Sequence, residues 1–165
     1  MEIRPAAPDE FRAIGELLVD AYCGLEDYPM SDRYADELRN VAERAADSLV
    51  LVAVDGERVV GTITFVPDAT SSAAEFDDST GAGIRMLAVA PAARRAGLGR
   101  ALTVACLEAA QARRRRTVYL HTTSWMPAAR RMYEAMGFVH DPNLDWTPEP
   151  DISLRGYRLE LPAIH

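Results

Sequence analysis

One short segment of the chain, Arg94–Ala101, combines two glycines with three arginines. The apolar run before it predicts a buried strand, and the periodic run after it predicts an amphipathic helix. Backbone N–H groups at the start of such a helix lack intrahelical partners, and the helix dipole is positive there. Glycines let an anion approach the backbone, and Arg94, Arg95 and Arg100 add positive charge. The segment therefore predicts a phosphate-binding turn.

The same residues exclude two common kinds of nucleotide site. A dinucleotide fingerprint requires a third glycine at position 102, where the chain has Leu102. A P-loop requires a lysine, and the sequence contains none, so its eighteen basic residues are all arginine. The absence of lysine also excludes Schiff-base and pyridoxal chemistry at a lysine nucleophile.

Hydrophobic periodicity around this turn divides the chain into alternating strands and helices. Strands are predicted at 1–4, 48–54, 58–66, 83–90, 117–123 and 155–161. Helices are predicted at 11–22, 31–47, 97–115 and 126–136, the second capped by Ser31 and the last closed by Gly137. Asp55-Gly56 between two β-branched runs predicts a hairpin. The order β-α-α-β-β-β-α-β-α-β indicates one α/β domain over residues 1–165, with a mixed central sheet flanked by helices.

Composition limits the classes of partner and the compartment. The 165 residues are 48% hydrophobic and 26% charged, which excludes disorder as the main state. A net charge of −7 argues against nucleic acid as a partner. No apolar run approaches the roughly 20 residues of a membrane span, and Met1–Glu10 shows no secretory pattern. Two cysteines are too few for a disulfide framework. We therefore expect a cytoplasmic protein without a metal site.

Two motifs resemble those of the GNAT superfamily of N-acetyltransferases. The stretch Ile84–Pro91 followed by Arg94-x-x-Gly97-x-Gly99 resembles the acetyl-CoA signature of that family. The later segment Ala129–Phe138 is similar to the family's next helix, which carries a tyrosine near the thioester sulfur. The element order agrees too, so the resemblance covers nearly the whole chain. It implies a GNAT fold, acetyl-CoA as cosubstrate without a metal, and transfer of acetyl to a primary amine by direct attack in a ternary complex.

The resemblance also implies roles for individual residues. The pyrophosphate would bind the backbone amides of Arg95–Ala101, and the pantetheine arm would pair with the backbone of Leu87 and Val89, where the fourth strand diverges from the fifth. Tyr133 would lie at the sulfur and protonate the leaving thiolate. The implied coenzyme site is Leu87, Ala88, Val89, Arg94, Arg95, Ala96, Gly97, Leu98, Gly99, Arg100 and Ala101, with Tyr133 as the catalytic residue.

Two positions depart from the family pattern. Met126 stands where many relatives have an asparagine that contacts pantetheine, and Gly83 stands where some have a catalytic glutamate. The first departure removes one expected contact. The second leaves the general base unassigned.

Several residues can be interpreted either as structural or as functional. Tyr133 shares a helical stripe with apolar residues, so core packing would also explain it, and His121 suits either a structural role or that of a base. Five acidic loop residues would be solvated or would border a substrate groove and attract a cationic amine, namely Glu26, Asp27, Glu75, Asp77 and Asp78. Arg113–Arg116 would offset the dipole at a helix end or contact an acidic partner. Trp125 and Trp146 could line an acceptor pocket or cover it.

Two other functions fit the same motifs. One is a non-catalytic module that binds acyl-CoA, and the other is an acetyltransferase acting on aminoacyl-tRNA. The sequence does not decide whether the acceptor amine belongs to a small molecule or to a peptide. Edge strands of such sheets often pair between subunits, so a homodimer is compatible with the sequence.

Overall fold

Five helices and eight strands account for most of residues 1–162, the part of the chain that the computed structural model describes. The strands are β1 (Glu2–Pro5), β2 (Leu49–Asp55), β3 (Arg58–Val66), β4 (Gly81–Val89), β5 (Thr117–Thr122), β6 (Val139–His140), β7 (Trp146–Glu149) and β8 (Ile152–Glu160). The helices are α1 (Phe11–Cys23), α2 (Asp32–Arg39), α3 (Val41–Asp47), α4 (Leu98–Ala112) and α5 (Pro127–Ala135). None of these helices is long and apolar enough to cross a membrane.

The strands form one sheet in the order β1-β2-β3-β4-β5-β8-β6, and β7 pairs with β8 beside this path. Every pairing is antiparallel except that of β4 with β5. The prediction of a mixed sheet flanked by helices is therefore confirmed. The Asp55-Gly56 turn joins β2 to β3, with Gly56 at φ 63° as the hairpin requires.

Both faces of the sheet are buried, because each packs against helices. Alternate residues of β2 divide between the two faces, with Val50 and Val52 toward α1 and Leu51 and Ala53 toward α4. A strand that is buried on both faces has a continuous run of apolar residues, and this pattern in the sequence predicts β2.

The helix predicted over 31–47 is wrong as one element, because the chain forms α2 and α3. Ser31 caps α2 as predicted, accepting a hydrogen bond of 3.1 Å from the N–H of Tyr34. Asn40 leaves the helical region at φ −82° and ψ 60°. The buried Arg44 guanidinium donates to the carbonyls of Glu37 and Leu38 at the end of α2, and the Glu37 carbonyl also accepts from the N–H of Asn40. These bonds stabilise the break.

Other predicted boundaries also need correction. No strand is predicted between residues 124 and 154, but this part of the chain contains β6 and β7. Both strands form by pairing with β8, so their own sequences show little of the alternation that predicts a strand. β4 begins at Gly81, two residues earlier than predicted. α4 ends at Ala112 instead of Arg115, because Arg114 adopts φ 56°, which a right-handed helix cannot contain.

Candidate active site

The predicted phosphate-binding turn lies between β4 and α4. A 3-10 segment, Pro91–Ala96, leads to Gly97, whose φ of 70° makes it the first residue outside α4. The N–H of Ala101 donates to the Gly97 carbonyl at 3.1 Å, so the first intrahelical bond starts there. The preceding N–H groups of α4 have no intrahelical acceptor. The helix start therefore presents donors and a positive dipole end at one point.

Gly99 borders the place where β4, α4 and α5 approach each other. A Cβ added there would lie 3.6 Å from the Met132 sulfur, 3.8 Å from Leu87 Cδ2 and 4.0 Å from Val89 Cγ2. These are ordinary contacts, so packing inside the protein does not demand a glycine. The missing side chain leaves open backbone beside the strand predicted to hold pantetheine, which fits a group that lies against the main chain.

The structure describes the side chains of two of the three arginines in this turn. Arg94 Nε donates to the Val89 carbonyl at 3.2 Å, so its guanidinium lies against the end of β4. The expected charge contribution of the Arg95 side chain lies outside what the structure describes. Arg100 is exposed on the first turn of α4.

A cleft opens in the sheet next to this turn. The parallel pairing of β4 with β5 covers only Gly81–Gly83 against Thr117–Tyr119. Within the described chain, Ile84–Val89 therefore have no strand partner on the side that faces β5. Unpaired backbone groups at such an edge can pair with an extended ligand as with an added strand.

A β-bulge in β4 lies at this cleft. One residue of β3, between Thr62 and Thr64, stands opposite two residues of β4. Met86 adopts φ 56°, a left-handed conformation that costs a methionine energy. As a result Arg85 and Met86, although consecutive, both point to the face covered by α1 and α2. Sequence analysis missed this bulge, since no glycine marks it.

The end of α5 positions the predicted catalytic tyrosine. The N–H of Phe138 donates to the Tyr133 carbonyl at 3.0 Å, and the N–H of Gly137 donates to the Glu134 carbonyl at 3.1 Å. Gly137 at φ 100° completes a Schellman motif, as its predicted role at the helix end requires. The rings of Tyr133 and Phe138 meet edge to face at 5.6 Å. Local backbone geometry thus fixes the direction of Tyr133.

Tyr133 is 5% exposed and belongs to the core beside α4, so the structural interpretation of this residue holds. Burial raises the pKa of its hydroxyl, and the neighbouring Cys106 and Tyr22 raise it further. A raised pKa keeps the hydroxyl protonated at neutral pH and makes it a weaker acid than an ordinary tyrosine. The catalytic assignment stays a prediction.

A cavity of about 660 Å³ opens on the other side of the cleft, between α1, α2, the segment before β4, and β7. Its lining combines aromatic rings with charged groups, among them Tyr22, Tyr28, Tyr34, Glu75, Arg85, His121 and Trp146. Trp125 packs edge-on against Tyr28 at 5.3 Å. Of the acidic residues expected beside a groove, Glu75 and Asp77 line this cavity together with Trp146. Glu26, Asp27 and Asp78 do not line it, and Asp78 instead accepts a hydrogen bond of 2.7 Å from the Tyr119 hydroxyl.

Charged side chains on one wall of this cavity form a network of ion pairs. Arg85 Nε lies 2.9 Å from Glu75 Oε1, and Arg85 Nη2 lies 3.3 Å from Glu37 Oε1. His121 Nδ1 lies 3.7 Å from the same Glu75 oxygen, and His121 Nε2 lies 2.9 Å from the Leu144 carbonyl. A carbonyl oxygen can only accept, so Nε2 carries a hydrogen.

The pKa values of this pair shift in opposite directions. Burial alone would raise the pKa of the Glu75 carboxyl, but His121 and Arg85 hold it below its usual range. Burial alone would lower the pKa of His121, but Glu75 raises it. His121 Nε2 bonds to the Leu144 carbonyl and Nδ1 faces the Glu75 carboxylate, so the ring bridges two segments of the cavity wall.

The position of the absent glutamate is filled by another side chain. A Cβ at Gly83 would lie 2.8 Å from Phe76 Cε1, and the Phe76 ring stacks on Tyr119 at 5.3 Å. Phe76 thereby directs the adjacent Glu75 toward the cavity. Met126, the other departure from the family pattern, lines the cavity as an apolar residue.

Arg113–Arg116 lie at the far end of α4 and contact the protein itself. The Arg113 guanidinium donates to the Ala109 carbonyl at 3.2 Å and covers the Phe65 ring at 5.2 Å. The Arg115 guanidinium donates to the Ser79 carbonyl at 3.2 Å. These contacts match the structural interpretation, in which cations offset the negative end of a helix dipole.

Comparison with known proteins gives one family. A sequence model of the acetyltransferase (GNAT) family matches residues 11–138. None of the curated proteins matches the chain in sequence.

Solved structures share the fold at low sequence identity. An acetyltransferase of the GNAT family from Staphylococcus aureus superposes with a TM-score of 0.80 at 16% identity, covering 98% of this chain and 99% of that one. The ribosomal-protein-S18-alanine N-acetyltransferase of Escherichia coli has a TM-score of 0.71 at 18% identity, covering 99% and 96%. The yncA protein of Salmonella typhimurium, solved with its cofactor acetyl-CoA, has a TM-score of 0.68 at 21% identity, covering 100% and 96%.

Proposed function

The chain belongs to the GNAT family and is an acyltransferase, and we propose that it moves acetyl from acetyl-CoA to a primary amine within a ternary complex. One observation carries this proposal: the open start of α4 at Gly99 adjoins the unpaired edge of β4. A diphosphate at the helix start and an extended arm along the strand would be bound by one continuous stretch of backbone.

In this proposal the backbone amides of Arg95–Ala101 bind the pyrophosphate, with Arg94 and Arg100 adding charge beside it. Leu87, Ala88 and Val89 pair with the pantetheine arm. The thioester then lies near the bulge at Met86 and near Tyr133. The amine enters from the cavity on the α1 and α2 side, where the cleft joins the two sites.

The reaction forms one bond and breaks one. The neutral amine nitrogen attacks the thioester carbonyl carbon, and its lone pair becomes the new C–N bond. The tetrahedral oxyanion collapses, the C–S bond breaks, and the sulfur leaves with the electron pair. Tyr133 gives that thiolate a proton, the nitrogen of the new amide gives one of its own to water, and the Tyr133 oxygen then takes a proton back from water. A thiol with a pKa near 8.5 is a tolerable leaving group, so we expect a modest contribution from Tyr133.

Deprotonating the acceptor amine costs more free energy than stabilising the leaving thiolate. An amine with a pKa of about 10.4 is neutral in about one molecule in 2,500 at pH 7, a cost of roughly 4.6 kcal/mol. An α-amine with a pKa of about 8 is neutral in about one in ten. Acidic groups near the cavity, such as Glu75 and Asp77, would attract the cationic form by long-range steering.

We place this activity in the cytoplasm, a location supported by the two free cysteines Cys23 and Cys106. Relatives by fold include two ribosomal-protein-alanine N-acetyltransferases, so a peptide N-terminus is one acceptor to test beside small amines.

Thermal unfolding with ligands tests the proposal directly. We expect acetyl-CoA to raise the melting temperature, and NAD or ATP at equal concentration to leave it unchanged. CoA release with a panel of amines then measures turnover. Binding without release from any amine would favour a module that only binds acyl-CoA. No response to acetyl-CoA would remove the basis of the site.

A further inference from the structure

One carboxylate of the cavity contacts both strands at the point where they separate. β4 and β5 stay paired as far as Gly83 and Tyr119. Two residues further along each strand, Arg85 and His121 both line the cavity. Glu75 Oε1 lies 2.9 Å from Arg85 Nε and 3.7 Å from His121 Nδ1. The Glu75 carboxylate therefore lies where the cleft meets the cavity.

The segment before β4 holds Glu75 at this junction. The Phe76 ring stacks on Tyr119 at 5.3 Å, and it occupies the space that a Cβ at Gly83 would enter. The last residues that pair β4 with β5 thus anchor the neighbour of Glu75. Because the backbone is fixed there, the carboxylate has a defined position relative to both strands.

Other carboxylates that line the cavity are bonded elsewhere. Glu149 accepts a hydrogen bond of 3.2 Å from Ser31 Oγ, and Asp145 accepts one of 2.8 Å from the N–H of Gly156. Among the residues that the structure describes, the ion pairs of this lining connect only Glu75 to both β4 and β5.

One oxygen of the Glu75 carboxylate is available to a ligand. The side chain is 19% exposed, and within residues 1–162 its Oε2 makes neither an ion pair nor a hydrogen bond. The buried polar atoms without a partner in this part of the chain belong to other residues, so Oε2 is open to the cavity. Although burial opposes it, His121 and Arg85 keep the pKa of this carboxyl below its usual range. Glu75 is therefore ionised at neutral pH and can accept a proton.

The proposed reaction needs a proton acceptor at this junction. The thioester would lie near Met86, the residue after Arg85, and the amine would arrive from the cavity. When the amine lone pair forms the C–N bond, the nitrogen becomes positively charged and still carries an N–H. A carboxylate that is already fixed beside this nitrogen can accept the proton with less reorganisation than water alone.

We infer that Glu75 is the general base of the transfer: its Oε2 accepts a hydrogen bond from the neutral acceptor nitrogen and takes the proton once the C–N bond has formed. The C–S bond then breaks with its electron pair leaving on sulfur, and the protonated Glu75 gives its proton to water. This inference rests on the proposed function and names the group through which the proton reaches water. Arg85 and His121 are positioning residues, because they contact the other oxygen.

Hydroxylamine tests the assignment, because it is small and largely neutral at pH 7. Hydroxamate and CoA are measured at saturating acetyl-CoA and a fixed hydroxylamine concentration, for wild type and Glu75→Gln. Glutamine has nearly the same shape but cannot take the proton. We expect the rate to fall about 100-fold, as loss of a general base would cause, and the Kd for acetyl-CoA to stay within about twofold.

Glu37→Gln is the matched control. Glu37 Oε1 lies 3.3 Å from Nη2 of the same Arg85, so this change removes one negative charge from the same network without affecting the contact with β5. We expect its rate to fall less than about fivefold, the effect of a partly exposed ion pair. An equal loss of rate in Glu37→Gln and Glu75→Gln would overturn the inference, because net charge would then explain both.

Chemical rescue separates a catalytic carboxylate from a structural one. Glu75→Ala leaves a space that formate can occupy, whereas the side chain in Glu75→Gln fills it. Formate should raise the rate of Glu75→Ala at least about tenfold, with saturation, and leave Glu75→Gln unchanged. Melting temperatures show whether each variant is folded in the assay. If Glu75→Ala is unfolded, the comparison of Glu75→Gln with Glu37→Gln decides.

The outcomes are distinct from those that test the coenzyme site. A wild-type rate in Glu75→Gln, or no response of folded Glu75→Ala to formate, would overturn the inference alone. So would a wild type that acetylates an amine of the panel but not hydroxylamine, because a base that acts directly on nitrogen should serve both. Failure of wild type to bind acetyl-CoA, or to transfer acetyl to any acceptor, would instead refute the proposed function.

Discussion

Exchanging the two glycines of the phosphate-binding turn for alanine should change stability in opposite directions. Gly99 lies in the first turn of α4, and a Cβ there meets its nearest neighbour, the Met132 sulfur, at 3.6 Å. Alanine therefore fits, and the reduced freedom of the unfolded chain should stabilise Gly99→Ala by about 0.5–1 kcal/mol. Gly97 has φ 70°, so alanine there should cost about 1–2 kcal/mol although nothing obstructs its Cβ.

Ligand binding should separate the two variants further. The methyl group of Gly99→Ala would occupy backbone surface of the proposed coenzyme site, beside Leu87 and Val89. We expect its acetyl-CoA affinity to fall at least about tenfold, or about 1.4 kcal/mol. The more stable variant should thus be the weaker binder, a combination that general damage to the fold cannot produce.

Thermal unfolding without ligand and calorimetry with acetyl-CoA measure both effects. For a chain of this size 1 kcal/mol corresponds to about 2–4 °C, so Gly99→Ala should melt about 1–4 °C above wild type and Gly97→Ala below it. The reasoning fails if Gly99→Ala binds acetyl-CoA as wild type does.

Three further predictions concern the residues around the cleft. Tyr133→Phe should lower kcat about tenfold at saturating coenzyme, because only one proton transfer is lost, and leave the Kd for acetyl-CoA within about twofold; a wild-type kcat would return this residue to a packing role alone. His121 has a raised pKa, so its bond to Glu75 stabilises the fold fully below pH about 6.5 and loses effect as pH rises through the folded pKa. Urea unfolding of wild type and His121→Gln should be measured at pH values below and above the folded pKa of His121. The difference in free energy of unfolding between the two proteins should shrink as pH rises, and a constant difference would contradict the pairing of His121 with Glu75. Gly137→Ala should cost about 1–2 kcal/mol because of φ 100°, whereas Gly137→Asn should cost less; equal melting temperatures for all three proteins would exclude the strain.

The coenzyme side of the site could be predicted because its signals are local. A glycine at a positive φ and a helix start determine backbone geometry within a few residues, as Gly97 and Gly137 show. The β2–β3 hairpin follows from Asp55-Gly56 in the same way. Sequence patterns of this kind act through short-range sterics and hydrogen bonds, so they hold before the rest of the chain has packed.

The bulge at Met86 and the break at Asn40 could not be predicted, because no turn residue marks the first and a buried arginine from α3 stabilises the second. Edge strand β7 depends on pairing with β8.

The amino-acid sequence by itself determined the glycine-containing turn before α4, a mixed sheet and the helix that carries Tyr133. Only the tertiary structure decided the cavity on the α1 and α2 side, including the charge network at Arg85. That side joins segments far apart in the chain, as the hydrogen bond of 3.2 Å between Ser31 and Glu149, 118 residues apart, shows. Contacts at such separation depend on how whole elements pack, and no local pattern encodes them.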